Sequence, residues 1–234
     1  MNKLKLLVID DEPQIRRLLE YGLNGYGYTV VSTDNGEDGI ALAAQLQPVA
    51  IILDIQLCTA PDGVGVCQAI REWSSVPILM LSVEESKATK LTAFDAGADD
   101  YITKPFDMAE LEARIRAVRR RTAASEGANP NGSIQVRDLT IDFVKRRVMF
   151  KTQEVHLTPT EYELLRILAS HPGRVVTNQM LLDAVWHDQK QAQPHYLRVF
   201  INTLRKKIAD RADSPFQYIR TEAGVGYRFA ELTD

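Results

Sequence analysis

Apolar runs along the first half of the chain alternate with stretches in which apolar residues recur at helical spacing. The runs at 6–9 and 49–53 have the length of buried strands, and a third segment covers 101–103. Elsewhere in this half, apolar positions fall on one helical face, as at 15–23 and 111–118. Strands that alternate with helices in this way predict an α/β fold with a parallel sheet.

The second half begins with short segments in which apolar and polar residues alternate, as they do in half-buried strands. These segments cover 134–136, 139–141, 148–150 and 155–157. They predict a small antiparallel sheet. Near the end of the chain, the pattern over 218–229 predicts a hairpin whose tip, 222–226, contains two glycines.

Three helices are predicted between this sheet and the hairpin. The first begins at Thr158, which forms a capping box with Glu161, and Pro159 occupies its first turn. The second runs from about Asn178 to Val185. The third extends from His195 to about Ile208 and carries the more informative pattern.

This third helix has one apolar face and one polar face. Its apolar residues recur at i, i+4, i+7 and i+11, which predicts a face that enters the core. They are Leu197, Ile201, Leu204 and Ile208. The other face and its flanks carry groups suited to bases and phosphates in a major groove. These are His195, Arg198, Val199, Asn202, Thr203, Arg205, Lys206 and Lys207. The pattern alone is also typical of a solvated amphipathic helix.

Composition divides the chain in two. Its 234 residues exceed one average domain, and residues 122–132 are small and polar with glycine and proline, as in flexible linkers. Residues 1–132 carry 13 basic and 19 acidic side chains, whereas residues 133–234 carry 15 and 12. We therefore predict domains at 1–121 and 133–234, and the basic second domain is compatible with a nucleic-acid partner.

The overall composition is typical of a soluble globular protein, with 45% hydrophobic and 25% charged residues. We expect a cytoplasmic protein without a membrane partner, because no signal-peptide pattern and no apolar stretch of roughly 20 residues is found. Cys58 and Cys67 have no cysteine or histidine at metal-ligand spacing, and the four histidines form no ligand pattern. Free thiols and no transition metal are therefore predicted.

Carboxylates and a lysine follow the predicted strands of the first half. Asp10 and Asp11, then Asp54, then Lys104 each come directly after one of the three apolar runs. Because residues past the carboxyl ends of parallel strands meet in one crevice, we expect these groups to converge. They suit a phosphoryl group and a divalent cation, with Asp54 as nucleophile, Asp11 as direct ligand and Lys104 as stabilising charge. Capping of the following helices is the alternative interpretation of the acids.

The segments that contain these groups resemble the receiver domain of bacterial two-component response regulators. They are Val-Ile-Asp-Asp-Glu at 8–12, Ile-Leu-Asp at 52–54, Leu-Ser at 81–82 and Ala-Gly-Ala-Asp-Asp-Tyr-Ile-Thr-Lys-Pro-Phe at 96–106. The resemblance implies a flavodoxin-like, doubly wound sheet of five parallel strands. It also implies that Asp54 accepts a phosphoryl group from a sensor histidine kinase.

The same resemblance implies roles for further residues. The Mg²⁺ ligands would be Asp10 through water, Asp11, Asp54 and the backbone carbonyl of Gln56. Ser82 and Tyr101 would form a switch pair that repacks one face when Asp54 is phosphorylated. Capping of a helix and covering of the core are the alternatives for this pair. The bond between Lys104 and Pro105 would be cis.

Residues 133–232 resemble the winged-helix DNA-binding domain of the OmpR/PhoB class. The segments that carry the resemblance are Leu-Thr-Pro-Thr-Glu at 157–161, Val-Val-Thr at 175–177, Leu-Arg-Lys-Lys at 204–207 and Gly-Tyr-Arg at 226–228. Within the class, residues 73–77, 195–198 and 222–226 look most like the Kdp potassium-transport regulators. The resemblance implies binding to direct-repeat promoter sites and a contact between the loop 187–194 and RNA polymerase, for which a solvated loop is the alternative.

Members of this class form homodimers through the fourth helix, fifth strand and fifth helix of the receiver. The pairs implied here are Lys90 with Glu110, Asp95 with Arg116, Asp100 with Arg114 and Asp99 with Arg121, beside an apolar contact of Leu91 and Phe94. Exposed ion pairs contribute about 0–1 kcal/mol each. The pairs would therefore set register and specificity while the apolar contact helps to stabilise the dimer.

The chain departs from the family pattern at two places. The segment Cys58-Thr59-Ala60 lengthens the loop after Asp54, and we weigh an effect on kinase access or phosphoryl lifetime against a harmless insertion. At the wing, Ala223 stands where many members have an arginine. We predict that Arg220 or Arg228 supplies a phosphate contact instead.

Three functions are compatible with these patterns. A phosphorylation-controlled transcription factor is favoured, because the acidic pocket and the lysine are complete. A transcription factor whose DNA binding does not depend on phosphorylation is the alternative. A hydrolase with Asp54 as nucleophile comes last, since aspartyl phosphatases of the haloacid dehalogenase type have an acid two residues later and Gln56 stands there. We therefore predict that the chain is not an enzyme.

Overall fold

A computed structural model describes residues 4–84, 86–123, 132–186, 194–210 and 216–231. The chain forms two compact units, Met1–Arg119 and Arg120–Asp234. Residues 124–131 lie outside the described part, so the linker at 122–132 and its boundaries stay a prediction. Among the described residues, no helix is both long enough and apolar enough to cross a membrane.

The first unit is a five-stranded parallel sheet with helices between the strands, as predicted. The strands are β1 (Leu4–Ile9), β2 (Tyr28–Thr33), β3 (Ala50–Asp54), β4 (Ile78–Ser82) and β5 (Asp100–Thr103). The helices are α1 (Pro13–Gly25), α2 (Gly36–Leu46), α3 (Gly63–Arg71), α4 (Lys87–Asp95) and α5 (Met108–Ala123). The strand order β2-β1-β3-β4-β5 makes the sheet doubly wound.

The sheet is buried where its strands are continuously apolar. β3 and β4 are buried along their whole length, as expected for central strands covered on both faces. One core cluster joins the sheet to α1 and α5 and contains Leu6, Val8, Leu19, Leu23, Tyr28, Ala50, Ile52, Leu79, Leu81, Ile102, Leu111, Ile115 and Val118. Burial of each large aliphatic side chain contributes about 1.5–3 kcal/mol.

Register brings the ends of the central strands to one edge of this sheet. Ile9 at the end of β1 pairs with Leu53 of β3. Asp54, the next residue, pairs with Leu81, and Ser82 ends β4 one position later. The chemistry-bearing residues at these ends therefore share one edge.

The described residues of the second unit form two antiparallel sheets and three helices, the winged-helix arrangement predicted for it. The first sheet has the order β6 (Ser133–Val136), β7 (Leu139–Asp142), β8 (Arg147–Phe150) and β9 (Gln153–Glu154). The helices are α6 (Pro159–Ala169), α7 (Asn178–Val185) and α8 (Pro194–Lys207). The second sheet has the order β10-β12-β11, from β10 (Val175–Thr177), β11 (Ile219–Glu222) and β12 (Gly226–Phe229).

The helix predictions of this unit are confirmed. Thr158 Oγ1 accepts a hydrogen bond from the Glu161 amide at 3.3 Å, and Glu161 Oε2 accepts one from the Thr158 amide at 2.8 Å. Both bonds satisfy amide groups that a helix start leaves without partners. The predicted apolar face of α8 and its extension is fully buried, at Leu197, Ile201, Leu204 and Ile208.

One predicted strand is wrong, and one observed strand was not predicted. The fourth strand was expected at 155–157, but β9 ends at Glu154. Residues 155–157 instead lead into the N-cap of α6, so the burial of Leu157 marks the entry to a helix rather than a strand. The strand β10 was not predicted, because three residues are too few to show alternation.

Candidate functional site

The predicted crevice at the carboxyl ends of the strands contains a lysine bonded to three carboxylates. Asp10 follows β1, Asp54 ends β3 and Lys104 follows β5. Lys104 Nζ lies 2.7 Å from Asp54 Oδ2, 2.9 Å from Asp10 Oδ2 and 2.9 Å from Glu12 Oε1. The topology of the sheet thus brings together groups that are far apart in sequence.

Burial makes the charges of this pocket interdependent. The side chains of Asp10, Asp54 and Lys104 are only 1%, 6% and 8% exposed. Burial raises the pKa of Asp10, although bonds from Lys104 and the Glu12 amide oppose this. For Lys104, burial acts to lower the pKa, but the hydrogen bonds to Asp54, Asp10 and Glu12 outweigh it and leave the pKa raised. Lys104 is therefore charged and stabilises the neighbouring carboxylates.

The oxygen donors of the pocket fit a hard cation. Carboxylate oxygens of Asp10, Glu12 and Asp54 all lie within 4.8 Å of one another. Such a set suits Mg²⁺, which takes oxygen ligands and retains several waters. Sequence reasoning missed Glu12, although it is the third acid in a row after β1.

Two of the predicted cation ligands make other bonds. Asp11 lies outside the carboxylate group, and its Oδ2 accepts a hydrogen bond from the backbone amide of Cys58 at 3.3 Å. The Gln56 amide donates to Asp54 Oδ1 at 3.1 Å. This bond keeps the backbone of Gln56 beside the pocket, whereas Asp11 is turned towards the loop after β3.

The predicted switch residues Ser82 and Tyr101 converge on Glu84. Ser82 Oγ accepts from the Glu84 amide at 3.0 Å, and the Tyr101 hydroxyl donates to the Glu84 carbonyl at 2.5 Å. The Glu84 carboxylate accepts from Gln56 Nε2 at 3.2 Å and from Thr89 Oγ1 at 2.5 Å. Glu84 thus connects both switch residues, the loop after β3 and the first turn of α4. No sequence signal pointed to it.

Close backbone packing fixes the loop after β3. A Cβ atom on Gly63 would come 2.0 Å from the carbonyl oxygen of Asp54, so only glycine fits there. The peptide bond between Lys104 and Pro105 is cis, as predicted, and so is the bond between Ala60 and Pro61.

The predicted dimer residues make several bonds inside the first unit. Arg114 bonds Asp100 at 3.2 Å and Glu110 at 2.6 Å, and Arg116 bonds Glu112 at 2.9 Å. These bonds occupy, within one chain, groups that were predicted to pair between chains. Pairing between two chains would require Glu110, Asp100 and Arg116 to leave these partners within the chain. The predicted pairs between chains stay predictions.

Other predicted dimer residues differ widely in accessibility. Asp99 is fully buried and bonds Arg71 at 2.8 Å, and Phe94 is 4% exposed. Asp95 is exposed and Leu91 is half-buried. Lys90 Nζ lies 5.4 Å from the centre of the Tyr101 ring, and the Arg121 side chain lies outside the described part. In this arrangement Asp99 and Phe94 belong to the interior, unlike Leu91 and Asp95.

In the second unit, a groove runs between α8 and the hairpin of β11 and β12. Its lining consists of Asn178, His195, Arg198, Asn202, Arg205, Thr221, Glu222, Ala223, Gly224, Gly226 and Tyr227. Arg198, Asn202 and Lys206 are exposed, whereas His195 and Val199 are half-buried. Thr203 Oγ1 donates to the Val199 carbonyl at 3.1 Å, so its hydroxyl is used within the helix. The loop 187–193 lies outside the described residues.

Arg205 supports the wing from inside this groove. Its Nη2 donates to the Ile219 carbonyl at 2.8 Å and to Thr221 Oγ1 at 2.9 Å. Its guanidinium lies 5.8 Å from the centre of the Tyr227 ring. Arg205 was predicted as a DNA-binding residue, and in the structure its guanidinium joins α8 to β11 through these hydrogen bonds.

Arg220 and Arg228 lie on the other face of the hairpin. They are opposite each other in the register of β11 and β12, one position away from the pair Thr221 and Tyr227. Because side chains alternate across a strand, they point to the face opposite Thr221 and Tyr227, and neither arginine belongs to the lining of the groove. Arg228 Nε also lies 2.9 Å from Glu222 Oε1. The structure does not bring these two arginines to the recognition face of α8.

This fold and these sites define a response regulator with a receiver and a DNA-binding output unit. The family model "Response regulator receiver domain" matches residues 6–116, and the model "Transcriptional regulatory protein, C terminal" matches residues 152–229. The chain belongs to the OmpR/PhoB class of response regulator transcription factors.

Curated relatives extend along nearly the whole chain. The transcriptional regulatory protein KdpE of Mycobacterium tuberculosis H37Rv is 43% identical over 227 residues, covering 96% of this chain and 98% of that protein. KdpE of Escherichia coli K12 is 39% identical, with 96% and 98% covered. The alkaline phosphatase synthesis regulator PhoP of Bacillus subtilis 168 is also 39% identical, with 99% and 98% covered. All three are transcriptional regulators, which supports the prediction that this chain is not an enzyme.

A solved structure has the same architecture. A mutant of RitR superposes with a TM-score of 0.81 at 26% sequence identity, covering 97% of this chain and 99% of that one. The predicted similarity to Kdp regulators also agrees with the two KdpE relatives.

Proposed function

We propose that this chain is a transcription factor switched by phosphorylation of Asp54 by a sensor histidine kinase. The observation that carries the proposal is the bond of 2.7 Å between Lys104 Nζ and Asp54 Oδ2 inside an otherwise acidic pocket. A buried carboxylate at a strand end, paired with a charged lysine, is available as a nucleophile and has a cation beside it for the incoming phosphoryl oxygens.

In the proposed transfer, a carboxylate oxygen of Asp54 attacks the phosphorus of a phosphohistidine on the kinase. An O–P bond forms, the P–N bond breaks, and the imidazole leaves with the bonding electron pair and takes a proton from solvent. Lys104 stabilises the charge on the phosphoryl oxygens. Mg²⁺, held by carboxylates of the pocket and the Gln56 carbonyl, would neutralise the same charge.

The switch would then act through Glu84. A phosphoryl group on Asp54 offers acceptor oxygens to the Ser82 hydroxyl, which is now bonded to the Glu84 amide. Movement of Ser82 releases that amide and changes the support of Tyr101 and the first turn of α4. A repacked surface of α4, β5 and α5 would pair two receivers, and two copies of α8 would bind direct-repeat sites in promoters. The loop 187–194 would contact RNA polymerase.

Treatment with acetyl phosphate and Mg²⁺ tests this proposal. We expect the treated protein to form dimers in sizing and to bind promoter DNA more tightly in gel shifts. Asp54→Ala should abolish both responses, whereas Glu72→Gln, an exposed carboxyl at the end of α3, should leave them intact. Unchanged DNA affinity and dimerisation after treatment would contradict phosphorylation control.

A second function is favoured by the position of Tyr101. Its ring is buried, and its hydroxyl already bonds the Glu84 carbonyl. If this arrangement persists in every state of Asp54, DNA binding does not depend on phosphorylation. In that case Asp54→Ala and wild type would bind promoter DNA equally, with or without acetyl phosphate.

A further inference from the structure

The segment Cys58-Thr59-Ala60, which lengthens the loop after β3, lies against one of the predicted cation ligands. The backbone amide of Cys58 donates to Asp11 Oδ2 at 3.3 Å. Asp11 precedes α1, 47 positions away in sequence. A residue added to the family pattern therefore makes a direct bond to the acidic pair after β1.

This segment is fixed in place by the first turn of α2. The amide of Gly36, the first residue of α2, donates to Thr59 Oγ1 at 3.4 Å. A Cβ atom on Gly36 would come 2.6 Å from the carbonyl oxygen of Pro61, so the loop packs directly on the helix backbone. The segment that carries the Cys58 amide is thus held between α2 on one side and Asp11 on the other.

Asp11, which accepts this bond, lies apart from the other carboxylates. Asp10, Glu12 and Asp54 gather around Lys104 within 4.8 Å of one another, and Asp11 is not part of that group. The third carboxylate of the group belongs to Glu12, which sequence reasoning had not considered. The carboxylates of Asp10, Glu12 and Asp54 thus surround the Lys104 ammonium group, and Asp11 does not belong to this set.

We infer that the inserted segment is a positioning element that opposes Mg²⁺ binding, because the Cys58 amide retains Asp11 outside the cation site. A cation that bound Asp11 through Oδ2 in the direction now taken by the amide would displace this bond, and the amide would lose a charged acceptor. The inference rests on the proposed function, which requires a cation in this pocket. It assigns the insertion a defined role: it sets the Mg²⁺ concentration at which the receiver accepts phosphate.

The alternative role for the Cys58 amide is to favour Mg²⁺ binding, and it predicts the opposite change in the Kd. If the Cys58 amide held Asp11 in the geometry that the cation needs, removing the amide would weaken Mg²⁺ binding. A hydrogen bond to a charged group changes an equilibrium by about ten-fold or more when fully formed, and less when solvent reaches it. The sign of the change therefore decides between the two roles.

Isothermal titration of the full chain with MgCl₂ at constant ionic strength tests the inference. Cys58→Pro removes the amide hydrogen and should lower the Kd for Mg²⁺ by about three- to ten-fold. Cys58→Ser keeps both the amide and a side-chain hydrogen-bond donor towards Asp11, so its Kd should match that of wild type. Thr59→Val loses the acceptor for Gly36 and should give a smaller decrease in Kd. Deletion of 58–60 should give a decrease like that of Cys58→Pro.

The outcomes separate this inference from the proposed function. Failure of wild type to bind Mg²⁺, or binding unaffected by Asp54→Asn, would overturn the cation site itself. Binding that depends on Asp54 but is equal or weaker in Cys58→Pro would overturn only the role of the insertion. Because proline also restricts Leu57, circular dichroism must show a folded variant; if it is not folded, the deletion variant decides in the same way.

Discussion

Tyr101 donates its hydroxyl hydrogen bond to the backbone carbonyl of Glu84, while Ser82 accepts from the amide of the same residue. Two side chains on neighbouring strands thus bind opposite sides of one loop residue. A change at either side chain alters the support of Glu84. In the proposed switch, this relationship would couple Ser82, at the end of β4, to Tyr101 on β5.

Loss of the Tyr101 hydroxyl should therefore weaken the loop. Tyr101→Phe keeps the buried ring and removes one hydrogen bond, so we expect the free energy of unfolding of the first unit to fall by about 0.5–1.5 kcal/mol. Dimer formation in response to acetyl phosphate should also decrease. Urea unfolding and sizing measure the two effects.

Tyr28→Phe is the matched control for this prediction. Its hydroxyl accepts a longer bond from Arg119 Nη1 at 3.2 Å, and no predicted switch residue is involved. It should leave dimer formation unchanged. Equal responses of the two variants to acetyl phosphate would refute a switch role for the Tyr101 hydroxyl.

Lys104 stabilises the pocket as well as the proposed transition state. Lys104→Met leaves Asp10, Glu12 and Asp54 without their common cation, and removing one partner of a buried ion pair costs about 3–5 kcal/mol. We expect lower stability in urea and a larger stabilisation by Mg²⁺ than in wild type, since the cation replaces the lost charge.

The control for Lys104 is Lys145→Met in the second unit. Lys145 forms an exposed pair with Asp142 at 3.9 Å, and such a pair contributes about 0–1 kcal/mol. Its loss should leave the response to Mg²⁺ unchanged. If Mg²⁺ stabilised Lys104→Met no more than wild type, competition between Lys104 and the cation would be disproved.

The fold and the location of the pocket follow from rules that the sequence displays directly. Alternating strands and helices give a parallel sheet, and residues after its strands share an edge, so Asp10, Asp54 and Lys104 could be placed together. The same rules could not decide which of Asp11 and Glu12 joins Asp10 and Asp54 around Lys104. In the structure, the Asp11 carboxylate accepts a bond from the amide of Cys58, a residue distant in sequence, and sequence reasoning has no means to foresee such a contact.

The wing shows a second limit of sequence reasoning. Which hairpin residues face α8 depends on register, because a shift of one residue exchanges the two faces. The glycine-containing tip left that register open. In the structure, Thr221 and Tyr227 line the groove, whereas Arg220 and Arg228 lie on the opposite face of the hairpin and are not part of the lining.

The exposed residues Arg198 and Asn202 of α8 lead to a prediction for DNA binding. Arg198 is exposed beside the groove, so Arg198→Ala should weaken binding to all sequences and lower the slope of log affinity against log salt by about 1. Asn202→Ala should instead reduce discrimination between sites by about 1–3 kcal/mol. Gel shifts over a series of salt concentrations measure both.

Arg220→Ala and Arg228→Ala test the sequence prediction for the wing. The position of both residues away from the groove favours an unchanged salt slope in the double variant. A lower slope would show that these arginines contact phosphate after all. Arg205→Ala should weaken binding through the wing, and its loss of stability in urea would distinguish it from Arg198→Ala.

The two cysteines should differ strongly in reactivity. Cys58 is exposed, whereas Cys67 is fully buried with its Sγ 3.5 Å from the Ala96 carbonyl. A disulfide reagent such as DTNB should modify one thiol in the native protein and both in denaturant, and Cys58→Ser should remove the native reaction. A hydrogen bond from the thiol to the Asp11 carboxylate, together with the negative charge of that carboxylate, raises the pKa of Cys58, so Asp11→Asn should speed that reaction at neutral pH. Two rapidly reacting thiols in the native wild type would contradict the buried position of Cys67.

Ionisation of Cys67 should limit stability at high pH. Burial raises the pKa of this thiol from 9.0 to about 11 in the folded protein. The folded state therefore binds the thiol proton more tightly than the unfolded state does. Its contribution to stability is complete below about pH 9 and is lost as the pH rises towards 11, an effect of about 2–3 kcal/mol. Cys67→Ala lacks this titration, so the stability difference between wild type and variant in urea should be constant at neutral pH and shift in favour of the variant above pH 9. A difference that stays constant up to pH 11 would mean that folding does not raise the pKa of the Cys67 thiol.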